Sequence, residues 1–189
     1  MKIDKRLNLV IPILDDEGER IRAYVHSTPI KSSTFDAYYM TIAKSFSRIH
    51  GSGLGVIAGP RVADKILRDV AKEDGVWDTP DGVRSGLVNE IQRLTNVLRV
   101  GDKGWESLPY EQAKKQEVIS AEDASEVDAA IAFFTLASAM HRKQDLPALL
   151  GGAASLWGAQ ITSFNSSEFM SSLKASTAPE NTGETPTAS

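Results

Sequence analysis

Cysteine is absent from this sequence, which excludes disulfides and thiol chemistry and is compatible with a reducing compartment. Long apolar runs are missing too. The best uncharged stretch, Ala129 to Met140, falls well short of the roughly 20 residues that cross a bilayer. The basic start MKIDKRLNLVIPILDDEG runs into acidic residues rather than a small-residue cleavage site, so it does not read as a signal peptide. No cluster of Lys and Arg stands out, and the net charge of -4 argues against general nucleic-acid binding. His26, His50 and His141 are isolated, without the i,i+4 partner of a helical zinc site. They read as surface or capping side chains, His50 and His141 near helix C-termini. Glycines crowd residues 51–60, yet no Gly-Lys-Ser/Thr and no complete dinucleotide fingerprint follows. There is no serine nucleophile elbow. The Asp15-Asp16-Glu17 cluster lacks the ligand pattern of a calcium loop and reads as a solvated turn. No catalytic residue, cofactor or metal is therefore expected, although a carboxylate pair assembled only by the fold stays open.

What the chain does have is a dense apolar segment, SAEDASEVDAAIAFFTLASAMH, from Ser120 to His141. Ser120 suits a helix cap, and Glu122, Asp123 and Glu126 complement the positive end of the helix. Apolar residues then fall on almost every face, which requires burial on all sides. This segment is the expected central helix. Upstream, LNLVIPIL and RIRAYVHS alternate apolar and polar residues around an acidic, glycine-containing turn, the signature of a hairpin. Pro12 places its strand at an edge or faces solvent.

Phe35, Tyr38, Tyr39, Ile42, Phe46 and Ile49 recur on one face of a second helix, as core packing or as a partner surface. GSGLGVIAGP reads as a connector, with Pro60 opening the next helix. Thr79-Pro80 marks a further helix reaching about Arg99, striped by Val83, Leu87, Ile91, Leu94 and Leu98, and residues 101–116 look turn-rich. The glycine-rich ALLGGAASLWGAQITSF packs closely on its neighbours or stays loose until a partner orders it. A short helix capped by Asn165 or Ser166 follows, then a polar tail. The expected architecture is mainly α with a small N-terminal β-hairpin, a helical bundle around a central apolar helix. Residues 1–30 hold the hairpin as part of the same domain, 31–174 the helical domain and 175–189 a disordered polar tail.

The stretches YVHSTPI, GLGVIAGPRVA, VWDTPDGV, AAIAFFTLASAMHR and LWGAQITSFNSSEF resemble the tail assembly chaperones of long-tailed bacteriophages. That resemblance implies a small, mainly helical, non-enzymatic protein that coats the tape-measure protein, keeps it soluble and helps recruit tail-tube subunits. It implies work in the host cytoplasm, absence from the mature virion, and no membrane or nucleic-acid partner. Many members occur in a short form and a frameshifted longer form, and this chain looks like the short one. Self-association into a homo-oligomer is expected. Aromatic stripes suit the helix-in-groove mode, so Phe35, Tyr39 and Phe46, together with Leu156 and Trp157, are the candidate partner-binding residues. Two other readings remain: a structural phage protein such as a head–tail connector or tail-completion subunit, and a small hydrolase or transferase with a deep polar pocket.

Overall fold

A computed structural model describes residues 7–15, 17–142, 144–155 and 158–174. Strands β1 (Asn8–Leu14) and β2 (Ile21–Ser27) form the expected hairpin. They do not stand alone. β3 (Thr95–Gly101), β4 (Gly104–Pro109) and the short β5 (Gln160–Thr162) join them in an antiparallel sheet ordered β4-β3-β2-β1-β5. The fold is α+β, and this overturns the expected helical bundle with a small N-terminal hairpin. Three of the five strands lie within the segment read as helical.

The misreading has a local cause. Leu94 and Leu98 continue the helical spacing of three and four residues begun by Leu87 and Ile91, so the apolar stripe runs past the true helix end at Arg93. The β-branched residues Thr95, Val97 and Val100 decide the outcome, because a two-residue loop, Asp102-Lys103, pairs Gly101 with Gly104 and folds β4 back. Gly104 has φ 105°, a conformation that β-carbon sterics deny to other residues. The Val76–Val83 stretch is also not a helix start. It closes on itself through Val83 N–H donating to the Val76 carbonyl at 2.9 Å. A π-helical turn (Arg84–Val88) and α3 (Asn89–Arg93) follow.

Leu9, Ile11, Ile13, Ala23, Val25 and Val97 point to one face of the sheet, where the helices pack. Those are α1 (Ser32–Gly51), α2 (Gly55–Glu73) and α5 (Ala121–Met140), the last being the apolar segment described above. α5 is buried on nearly every side, with Phe133 and Phe134 3% and 1% exposed. Its first turn carries a full capping box between Ser120 and Asp123, at 3.0 and 3.1 Å. The Asp123 carboxylate also pairs with Arg22 of β2, whose guanidinium donates to the Leu14 and Val118 carbonyls. Sheet and central helix are thereby fastened together.

Only residues 52–54 of the glycine-rich stretch form the expected connector: α2 begins at Gly55, and Pro60 lies inside that helix rather than opening it. α4 (Tyr110–Lys115) occupies part of the turn-rich segment, and α6 (Leu146–Ser155) buries Leu146, Leu150 and Ala154. On the opposite face of the sheet, α7 (Ser166–Lys174) sets Phe169 against Val10 and Leu98. Asn165 and Glu168 cap it reciprocally at 2.9 and 3.0 Å. The polar tail expected at 175–189 lies outside the described residues.

His26 is a further correction: it is 2% exposed, not a surface side chain. Its Nε2 lies 3.0 Å from the Phe164 carbonyl, an acceptor, so Nε2 carries the proton and Nδ1 is left without a partner. Burial pushes the imidazole below its ordinary value. The unfolded chain therefore binds this proton more readily, and stability falls as pH drops below about 6.5 toward the folded-state value. Thermal melts at pH 7.5 and 5.5 should show a smaller acid loss for His26→Gln, which keeps a donor and removes the titration. Equal losses in both proteins would refute this assignment.

Candidate functional site

The aromatic stripe on α1 divides between core and surface. Ile42 and Ile49 are fully buried, whereas Tyr39 and Met40 are 53% and 51% exposed. Phe46 is half-buried between two imidazoles, its ring centroid 4.1 Å from His50 and 5.1 Å from His141. Phe35 is half-buried and lines a cleft of about 650 Å³ between the start of α1 and the end of α5. Of the sequence-derived candidates, Phe35 and Phe46 both face the C-terminal end of α5, and Tyr39 lies between them on α1. Leu156 and Trp157 lie outside the described residues.

Each wall of this cleft has a sequence cause. Pro29 and Ile30 turn the chain out of β2 into α1 and supply apolar surface. Ser138 and Ala139 are small, which leaves room beside Phe35, and α5 ends at Met140. His141 Nδ1 lies 3.1 Å from the Ala137 carbonyl and caps that end. The stretches YVHSTPI and AAIAFFTLASAMHR thus meet at one place although they are far apart in sequence. Lys31 and Arg142 are exposed at the cleft, and among its described lining residues none is a carboxylate. α1 starts at Lys31 without a side-chain cap or an acidic residue in its first turn. Sequence reading missed Lys31 and Arg142 because single basic residues at helix boundaries look like ordinary surface.

A second cleft, of about 320 Å³, brings Asp64 of α2 beside Asp128 of α5. Burial pushes the Asp128 carboxyl up, and the Lys114 ammonium opposes that shift. The Tyr110 hydroxyl donates to the Ala124 carbonyl at 3.2 Å, and burial raises it well above the usual phenol range. Lys114 pairs with Glu111 and sits 4.7 Å from the Tyr110 ring centre, while Arg68 lies 5.6 Å from the Trp77 ring centre. Asp64 Oδ1 is buried without a hydrogen bond. In sequence Asp128 read only as helix-start charge, and the groups that act on it come from α2 and α4. Among the described residues, no group of three or more His, Asp or Glu side chains could hold a metal ion. No described helix is long and apolar enough to cross a membrane.

Comparison with protein-family models, with curated proteins and with solved structures gave no match.

Proposed function

We propose that this chain is a tail assembly chaperone of a long-tailed phage. It binds the tape-measure protein in the host cytoplasm, keeps it soluble and helps recruit tail-tube subunits, without catalysing a reaction and without entering the mature virion. The observation that carries this reading is the meeting of YVHSTPI and AAIAFFTLASAMHR around the Phe35 cleft, next to exposed Tyr39 and Met40. An amphipathic client helix recognises such a surface through apolar anchors spaced three and four residues apart. Self-association of the chaperone would supply a repeated surface along an extended client.

The test is co-purification of the tagged chain with the tape-measure protein of the same phage. Co-elution through size exclusion, with the chaperone in molar excess, is the expected result. Separate elution, or recovery of this chain as a component of mature virions, would contradict the proposal and favour a connector or tail-completion role.

A further inference from the structure

We propose that the cleft between the start of α1 and the end of α5 receives an acidic segment of the client. In this arrangement an apolar side chain rests on Phe35 and Ile30 while carboxylates face Lys31 and Arg142. The inference deepens the chaperone reading and rests on it.

Charge complementarity selects the occupant. The chain as a whole carries a net charge of -4, so a concave surface with cations and no carboxylate among its described lining residues runs against that overall balance. Two other large clefts among the described residues carry both signs. The groove of about 700 Å³ along β1 sets Arg61 and Lys65 against Asp15, Asp123 and Glu126. The Asp64–Asp128 cleft likewise holds its own cations, Arg68 and Lys114. Those grooves neutralise themselves, whereas the described lining of the Phe35 cleft holds cations alone. Arg142 makes no ion pair among the described residues. Lys31 acts on Glu90 at a distance, but that carboxylate is already held by Arg93 at 2.6 Å. The uncapped start of the 20-residue helix α1 adds charge of the same sign. Apolar floor and cationic rim together match a segment that mixes Leu or Phe with Asp or Glu, and they disfavour a basic one.

The experiment uses the full chain and short overlapping peptides spanning the tape-measure protein, read by fluorescence anisotropy. Peptides combining carboxylates with a large apolar residue should bind best, and their Asp→Asn, Glu→Gln counterparts should bind more weakly. Lys31→Glu with Arg142→Glu should weaken binding about tenfold, the size expected when two exposed pairings are reversed. Both side chains are exposed, so circular dichroism and melting of the variant should match the parent. A milder Arg142→Gln variant should show an intermediate loss. Unchanged affinity in the charge variants, or equal binding of acidic and neutralised peptides, would overturn the inference while leaving the chaperone reading in place. Tighter binding of a single-stranded oligonucleotide than of any peptide would overturn it in favour of a phosphate ligand. Failure of the parent protein to hold either the peptides or the whole client would remove both.

Discussion

Phe134→Ala is expected to cost about 3–5 kcal/mol, the range for deleting a buried aromatic side chain. Phe134 is 1% exposed and belongs to the main core, where the sheet and α5 meet. Phe133, Ile131 and Leu136 are buried around it, and a small apolar void already adjoins Phe133 and Phe134, so the loss depends on how far Leu150 and Ala154 can relax into the space. Total stabilities of about 5–15 kcal/mol leave little margin for such a loss. Urea unfolding followed by circular dichroism measures it. Tyr39→Ala, at a residue 53% exposed, should change stability by less than about 0.5 kcal/mol in the same assay. A small effect at Phe134 would mean that α5 is not the element the core depends on.

Gly59→Ala sets two effects against each other. Within a helix the change favours alanine by about 1 kcal/mol. A β-carbon at this position, however, would stand 2.8 Å from Phe133 Cε2 and 2.9 Å from Ile49 Cγ2. Those atoms belong to α5 and α1, both buried and unable to swing into solvent, so overpacking of about 1–3 kcal/mol is expected to win. The net prediction is destabilisation, and a larger one for Gly59→Val. A rise in melting temperature for Gly59→Ala would show that α1 and α5 can separate at low cost. The same contact explains why α2 carries a glycine at position 59: close approach to Phe133 and Ile49 offsets what the backbone loses there.

The hairpin, α5, the caps at Ser120 and Asn165, and the burial of Ile42 and Ile49 were legible because each depends on local periodicity or on a cap a few residues away. β3 and β4 were not, since the apolar stripe through Leu98 mimics a helix and the pairing of β3 with β2 and β4, Val97 opposite Val25 among them, decides otherwise. The same limit applies to the site. Phe35 and Phe46 could be picked from the aromatic pattern on α1. Arg142, Lys31 and Ile30 acquire meaning only when the end of α5 is brought against the start of α1, a juxtaposition across more than half the chain. Asp64 and Asp128 illustrate the point again: each looks like a surface charge on its own helix, and their proximity is a product of α2 packing on α5.

Whether these apolar surfaces exist to hold another polypeptide is tested most directly by the soluble fraction of the tape-measure protein, expressed in bacteria alone and with this chain. Soluble client should rise sharply with the chaperone present, and much less with a Phe35→Glu, Tyr39→Glu variant whose own fold is intact. A client equally insoluble in all three cases, or soluble without help, would contradict the proposed role.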